Sequence, residues 1–265
     1  MSARRRRRRT GGFSKHWLFT IILGPLLVGL VLIWVTLRIS DDGHGSSEKR
    51  SGGDFTRGEC TDIQGRNSIS TGWGPTRPTY LLSHPAPHPT LNAITDSHAW
   101  GDERAFVDAR LTRDTAAGSY CNSLGVADGD IVTIRAYLEN SAADNLVDAD
   151  GLGEGLARDV SIAFVPDKER STLVRVWAQV TSSTTDPATV WDSVEFISDT
   201  PFRLDYLNGS GVVYSNLHPD SQPLDLGVWD GPGVLVGPRT LDGNLPPGYE
   251  YEMLVEVEAR VTAVS

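Results

Sequence analysis

Lysine is scarce in this 265-residue chain, and acidic residues are missing from its first 40 positions. Only three of the 24 basic residues are lysines. Residues 1–40 hold eight of the 24 basic residues and none of the 34 acidic ones, so the rest of the chain carries 16 minus 34, a formal charge of −18. Such an acidic surface repels nucleic acid and anionic lipid, so we expect no nucleic-acid partner for this part.

Long apolar runs are also rare, and the one that stands out begins at Trp17 and ends at Leu37. Twenty-one helical residues at about 1.5 Å each span about 31 Å, which matches the hydrocarbon core of a bilayer. Six arginines, residues 4–9, precede the run, and basic residues beside a first span stay on the cytoplasmic side. We therefore predict a single-pass membrane protein. The preference for arginine over lysine fits a GC-rich bacterial genome, so the expected location is a bacterial cell membrane. The expected parts of the chain are a cytoplasmic arginine-rich tail (1–16), a transmembrane signal-anchor helix (17–37) and an extracytoplasmic remainder (38–265).

A cleaved signal peptide is the alternative interpretation of the same segment. The apolar run is longer than a usual signal-peptide core, and no A-x-A cleavage site follows it. Both features favour an anchor that is retained.

Motifs for catalysis are missing as well. The sequence has no G-x-S-x-G nucleophile elbow, no H-E-x-x-H zinc motif and no P-loop. Carboxylate pairs such as Asp102 with Glu103, or Asp192 with Glu195, occur in any acidic domain and do not by themselves indicate glycosidase chemistry. We therefore expect a protein that is not an enzyme and that needs no cofactor, with calcium as the one candidate considered below.

Cysteine occurs only twice, at Cys60 and Cys121. In the predicted topology both lie outside the membrane, where an even cysteine count favours one disulfide. Two free thiols are the alternative.

Two composition shifts precede the first regular pattern. Residues 41–59 are a polar stretch rich in Gly and Ser, and residues 72–90 contain five prolines. Proline disfavours both a helix and a central strand, so we predict an extended linker over residues 38–94 that lies over the domain or spaces it from the membrane.

From about residue 95 onwards, apolar and polar residues alternate with a period of two. The alternation is visible over residues 132–138, 160–164, 174–180, 202–206 and 249–261, and turn signals such as Asn208-Gly209 separate these runs. No long helical pattern follows the apolar run. The sequence predicts an all-β fold, an immunoglobulin-like antiparallel β-sandwich over residues 95–265, preceded by one N-terminal transmembrane helix.

The strand and turn motifs resemble a known family. The segments on which the resemblance rests are Asp128-Gly129-Asp130-Ile131-Val132 with the strand that follows as far as Asn140, then residues 187–194, 198–206 and 241–248. They are similar to the conserved-repeat, Ig-like domain of unknown function found in bacterial, especially actinobacterial, surface and membrane proteins. The similarity covers roughly residues 95–264 in a single copy. It implies an Ig-like fold on a cell surface and brings no catalytic residues with it.

Two further groups of residues suggest ligands. Carboxylates on a glycine-rich loop suit calcium, although the EF-hand spacing fails; the candidate ligands are Asp144, Asp148, Asp150 and Glu154. Solvated acidic side chains are the alternative. Five tryptophans beyond the apolar run would suit sugar stacking if they were exposed, and Trp177 lies on the polar-facing register of its strand.

The expected function is therefore structural, adhesive or protein-interacting at the cell surface. The expected partners are the membrane, through Trp17 to Leu37, and an unknown cell-envelope protein or glycan. A carbohydrate- or cell-wall-binding module is the alternative.

Overall fold

The computed structural model describes residues 57–58, 60 and 72–264. Throughout these residues the fold is all-β, as the alternating pattern predicts, and the strands are joined by turns and three short 3-10 turns. The strands are β1 (Val107–Leu111), β2 (Ser123–Gly125), β3 (Ile131–Leu138), β4 (Ser161–Pro166), β5 (Ser171–Thr181), β6 (Thr189–Tyr206), β7 (Val212–Ser215), β8 (Gln222–Pro223), β9 (Val234–Leu235) and β10 (Met253–Ala263). The 3-10 turns are Asp144–Leu146, Leu226–Val228 and Tyr249–Tyr251.

The strands form one hydrogen-bonded sheet in the order β1-β3-β10-β6-β5-β4-β9. All neighbours along this order are antiparallel. Strand β6 has 18 residues and pairs with both halves of the sheet, β1-β3-β10 on one side and β5-β4-β9 on the other. Its residues 189–202 pair with β5, and its residues 202–206 pair with β10. This one long strand therefore connects the two parts of the sheet.

The sheet folds back on itself in a sandwich-like way. Strand β1 lies three positions from β6 in the strand order, yet the backbone N–H of Val107 donates to Asp192 Oδ2 on β6 at 2.8 Å. Strand β2 pairs in parallel with β6, and Cys121 just before it exchanges two backbone hydrogen bonds with Ala109 on β1. Residues 121–125 therefore bridge the two halves, and apolar side chains from both form a single core.

Residues 72–106, which we call the coat segment, pack on the outer face of β3 through Trp100, which stacks on Tyr137, and on β6 through Gly74, which exchanges backbone hydrogen bonds with Trp191. Ala86, Leu91, Ala93 and Ile94 are buried in the domain, although the sequence placed them in the linker. The packed part of the chain therefore extends N-terminal to residue 95, as far as residue 72. Of the two alternatives for this segment, lying over the domain or spacing it from the membrane, residues 72–94 adopt the first. Because a proline-rich segment has no periodic pattern, the sequence does not show which of its side chains are buried.

The last strand is shorter than its alternating pattern predicts. Tyr249–Tyr251 forms a 3-10 turn, and the strand begins at Met253. Among the described residues no helix is long and apolar enough to cross a membrane. The predicted anchor over residues 17–37, the tail before it and most of the residue 41–59 stretch lie outside the described residues.

Candidate functional site

A continuous stack of rings and a guanidinium lies between the sheet and its cover. Tyr137 and Arg135 share the outer face of β3, and Trp100 of the coat segment stacks on Tyr137 with ring centroids 4.9 Å apart. The Arg135 guanidinium lies 4.9 Å from the Trp100 ring and 3.7 Å from the Tyr120 ring. Because cations are attracted to aromatic faces, this stack holds Trp100 of the coat segment and Tyr120, which lies between β1 and β2, on the strand.

Arg135 is also one half of a buried ion pair. Its Nε and Nη2 atoms donate to the two carboxylate oxygens of Asp108 on β1 at 2.8 and 2.7 Å. Both side chains are at most 6% exposed. The alternating pattern predicts a solvated outer face for β3, but Thr133, Arg135 and Tyr137 are all buried.

One buried polar side chain fastens the coat segment to the end of β3, and a second braces the segment internally. Asn92 donates from Nδ2 to the Tyr137 carbonyl at 2.9 Å. Arg77 donates from Nη2 to the carbonyl of Asn92 at 2.7 Å. Burial, with some repulsion from Arg104, lowers the pKa of Arg77 to about 10. These groups satisfy backbone carbonyls that an irregular segment would otherwise bury without partners.

Three glutamates converge at that same end of β3. Glu103 comes from the coat segment, Glu139 follows the last residue of β3, and Glu252 precedes β10, where the pairing of Met253 with Leu138 places it beside Glu139. Glu103 is 1% exposed, and its carboxyl group is hydrogen-bonded to Glu139 and Ser97. Its Oε1 atom accepts from the Tyr137 hydroxyl at 3.4 Å. The other two glutamates are partly exposed.

The protonation of this cluster is strongly perturbed. Burial and then repulsion from Glu139 raise the pKa of Glu103 well above its usual range. Burial also raises the pKa of Glu139, and hydrogen bonds to Glu103 and Ser141 only partly offset this effect. Burial and repulsion from Glu139 raise the pKa of Glu252 to about 8. Because like charges this close disfavour joint ionisation, the cluster retains at least one proton at neutral pH.

The cluster continues to the surface through Asp144 and Glu250. Burial and then repulsion from Glu250 raise the pKa of Asp144, and Asp144 in turn acts on Glu139. A Cβ atom at Gly248 would lie 3.3 Å from Glu250 Oε2 and 3.4 Å from Asp144 Oδ1, so these two carboxylates flank one glycine. The loop after β3 and the loop before β10 therefore form one acidic end.

The predicted calcium ligands are only partly brought together. Asp144 joins the acidic end, whereas Asp148 uses its Oδ1 atom to accept the backbone N–H groups of Asp150 and Leu152, both at 3.0 Å. Over the described residues no group of three or more His, Cys, Asp or Glu side chains is arranged to hold a metal ion. The calcium site of Asp144, Asp148, Asp150 and Glu154 stays a prediction.

Asp192 is a separate buried carboxylate on β6. Its Oδ2 atom accepts the backbone N–H of Val107, whereas its Oδ1 atom has no hydrogen-bond partner in the part of the chain that the structure describes. Burial raises the pKa of Asp192 to about 7, and backbone hydrogen bonds oppose that effect. This carboxylate ties β1 to β6 across the fold.

The opposite end of β3, which begins at Ile131, is in contact with Arg57 from the N-terminal part of the chain. The Asp130 carboxylate binds the guanidinium groups of Arg57 and Arg113 and also accepts the Ala127 N–H at 2.9 Å. Burial alone would raise the pKa of Asp130, but these hydrogen bonds prevail and lower it. Nearby, Cys60 and Cys121 form the predicted disulfide.

The tryptophans take several roles. Trp177 and Trp191 share the outer face of the β5-β6 pair, and both are partly exposed. The Trp191 ring is covered by Gly74 of the coat segment, because a Cβ atom there would lie 2.5 Å from the ring. Trp177 donates from Nε1 to Asp167 at 3.3 Å. Only part of this face is therefore open to a ligand.

Sequence reasoning singled out Asp144 but not the cluster around it. Glu103, Glu139 and Glu252 are 36 and 113 residues apart along the chain, so no local motif joins them. Only the pairing of β3 with β10 would have revealed the Glu139 and Glu252 contact.

Comparisons with known proteins supply no relative for this arrangement. The chain matches no family model, and it has no significant match among curated proteins or among solved structures.

Proposed function

We propose that this protein is a membrane-anchored, Ig-like β-sandwich domain displayed outside a bacterial cell, with a structural, adhesive or protein-interacting role. The observation that carries the proposal is the use made of the buried polar groups. Asn92 fastens the coat segment to β3, and Arg77 braces the coat segment internally through the Asn92 carbonyl. The Arg135–Asp108 pair joins β3 to β1 next to the Trp100 ring. Such groups make a rigid surface, and rigid surfaces suit recognition.

The sheet edges support the same proposal. The outer edge of β1 is hydrogen-bonded by Cys121, and β4 is covered first by β9 and then by Asp230, whose N–H donates to the Phe164 carbonyl at 2.8 Å. Covered edges prevent uncontrolled strand pairing, so partners are expected to bind to side chains and not to backbone.

Photo-crosslinking in intact cells tests the interaction role. A photoreactive residue is placed in the full chain at Leu82, Leu152, Gln179 or Leu226, which are exposed positions on different parts of the surface. We expect a discrete adduct from one region only. Adducts at none of the positions, or equal adducts at all of them, would contradict a specific partner.

A carbohydrate-binding module is the second candidate, favoured by the partly exposed Trp177 beside Trp191. Aromatic faces stack on sugar rings. Titrating the full chain with cell-wall glycan fragments would then quench tryptophan fluorescence, and Trp177→Ala would abolish the change. Trp229→Phe is the control, because Trp229 stacks on Tyr206 and not on this face. Absence of any quenching removes this candidate.

A further inference from the structure

The two cysteines of the disulfide differ in their access to solvent. Cys60 is exposed, whereas Cys121 is 7% exposed and exchanges two backbone hydrogen bonds with Ala109 on β1. Exposed disulfides are the ones that thiols reduce, whereas buried structural disulfides resist reduction. A thiolate from solution can therefore approach this bond from the side of Cys60, and Cys121 is the sulfur that would leave.

The disulfide holds a short N-terminal arm on the domain, by which we mean Arg57, Gly58 and Cys60. The Gly58 N–H donates to the Gly125 carbonyl at 2.9 Å, and Cys60 forms an isolated bridge with Leu124. These backbone contacts add the arm to the edge of β2 over only a few residues. A pairing this short is marginal by itself, so the covalent bond is the strongest link between the arm and the sheet.

The ion pair of the arm can be given up at little cost. The Arg57 side chain is 51% exposed where it meets Asp130, and Arg113 binds the same carboxylate. Ion pairs that are this exposed contribute little to stability. Asp130 also keeps a cationic partner when Arg57 leaves, so departure of the arm would not leave a buried charge uncompensated.

The coat segment is held independently of the disulfide. Gly74 exchanges two backbone hydrogen bonds with Trp191, both at 2.8 Å. The buried hydrogen bonds of Arg77 and Asn92 lie further along the same segment. Opening the disulfide would therefore free the arm, while the chain from Gly74 onwards stays on the domain.

The disulfide thus sets the length of chain between the predicted membrane span and the domain. The span is predicted to end at Leu37, so the 19 residues 38–56 precede the arm while the bond is closed. With the arm released, the 36 residues 38–73 precede the first firmly held position, Gly74. At about 3.4 Å per extended residue, the greatest reach rises from about 65 Å to about 120 Å.

We propose that the Cys60–Cys121 bond is a redox-controlled latch, which an extracytoplasmic dithiol reductant opens by attack on Cys60 so that the arm is released and the tether lengthens. A thiolate of the reductant forms a mixed disulfide with Cys60 Sγ. The electron pair of the broken bond leaves on Cys121 Sγ, which takes a proton from solvent. The second thiol of the reductant then displaces Cys60 as a thiol, and the reductant departs as a disulfide. This inference rests on the proposed function and names its regulation.

Brief treatment of the full chain in detergent with glutathione tests the site of attack, because a monothiol leaves a mixed disulfide on the sulfur that it attacks. Free thiols are then blocked with iodoacetamide, and the peptides are mapped by mass spectrometry. We expect glutathione on Cys60 about tenfold more often than on Cys121. In urea both sulfurs are accessible, and the preference is expected to vanish. Equal labelling of the folded chain, a preference that persists in urea, or no reaction without urea would overturn the proposal.

Hydrogen exchange of the same full chain tests the release of the arm. After reduction with dithiothreitol, we expect the peptide that contains Gly58 to exchange faster, while the coat segment and the strands stay protected. Cys60→Ser/Cys121→Ser should show the fast exchange with or without reductant. Arg57→Gln is the matched control, and its arm should stay protected while the disulfide is closed. Protection of Gly58 after reduction, loss of protection throughout the coat segment, or a free arm in oxidised Arg57→Gln would overturn the latch.

The two proposals fail in distinguishable ways. Thiol exchange and arm release by the purified chain do not depend on which side of the membrane the domain occupies. An arm that is not released, in a chain whose domain lies outside the cell, overturns the latch alone. An arm that is released, in a chain whose domain lies inside, overturns the proposed display and the extracytoplasmic source of the reductant.

Discussion

Arg135 and Asp108 form an ion pair in which replacing either residue is expected to lower the stability of the fold. Both are buried, and Arg135 is also enclosed by the Trp100 and Tyr120 rings. Removing one member of a buried pair leaves the other charged and without compensation. Single residues of this kind decide whether the covering segments stay in place.

Asp108→Asn is expected to destabilise the domain by about 3–5 kcal/mol, because Arg135 would remain buried without its counter-charge. Urea unfolding followed by tryptophan fluorescence measures the change. The control is Asp230→Asn at the exposed Lys168–Asp230 pair, for which we expect a loss of about 1 kcal/mol or less. Similar losses for the two variants would refute the structural role of the buried pair.

Glu252 is expected to make the domain less stable as pH rises. Its folded-state pKa is raised to about 8, so its protonated form favours the folded state. That stability is fully present below the pKa of the unfolded chain and is lost as pH rises through about 8. Glu252→Gln should flatten the fall by up to about 1.4 kcal/mol per pH unit. Unfolding free energies measured from mildly acidic to mildly alkaline pH test this, and an unchanged slope would contradict it.

Asp130 is expected to behave in the opposite sense. Hydrogen bonds from Arg57 and Arg113 lower its pKa, so its contribution to stability is present above the unfolded-state pKa and is lost as pH falls through the folded-state value. Asp130→Asn should therefore lower stability at neutral pH, with the difference shrinking in strong acid. A loss that does not change with pH would rule out an electrostatic origin.

Among the elements, the coat segment and residues 121–125 contribute most to the difference between this fold and a bare sheet. The coat segment packs on the outer faces of β3 and β6, and residues 121–125 join β1 to β6. Neither has a hydrophobic period. Their positions depend on contacts such as Gly74 against Trp191 and on the Cys60–Cys121 bond.

Removing the disulfide tests the junction between the N-terminal part and the sheet. Cys60→Ser/Cys121→Ser opens a loop of 61 residues. In the chain-entropy model, closing a loop of this size contributes about 4 kcal/mol. We expect a lower Tm for the variant, and we expect reductant to lower the Tm of the wild-type chain but not that of the variant. Equal sensitivity to reductant would contradict the assignment.

Gly74→Ala tests the seating of the coat segment. The new Cβ atom would lie 2.5 Å from the rigid Trp191 ring, so we expect a loss of about 1–3 kcal/mol and faster hydrogen exchange in the coat segment. Gly227→Ala is the control, because its Cβ atom would meet nothing closer than 3.4 Å. Equal losses for both substitutions would show that the close approach at Gly74 is unimportant.

The strands can be predicted well from the sequence, whereas the irregular residues that cover the sheet cannot, and the reason is physical. The alternation of Val132, Ile134 and Ala136 with polar residues predicts one buried face of the strand, and all three side chains are in the core. It cannot report that Thr133 and Arg135 are buried too, because their cover comes from distant residues of irregular conformation. The Glu139 and Glu252 contact depends likewise on strand pairing, which composition does not reveal.

At the scale of the whole molecule, the protein is proposed to hold a rigid, acidic β-domain outside the membrane by a single N-terminal helix. The arginines of residues 4–9 and the charge of −18 beyond residue 40 would then lie on opposite sides of the bilayer.

Protease digestion of intact cells tests this arrangement most directly. The full chain carries one epitope tag before residue 1 and another after residue 265. We expect protease added outside to remove the C-terminal tag, to leave a short N-terminal fragment protected in the membrane fraction, and to degrade that fragment only after lysis. Protection of both tags in intact cells, or release of the whole chain into the soluble fraction, would contradict the proposed display.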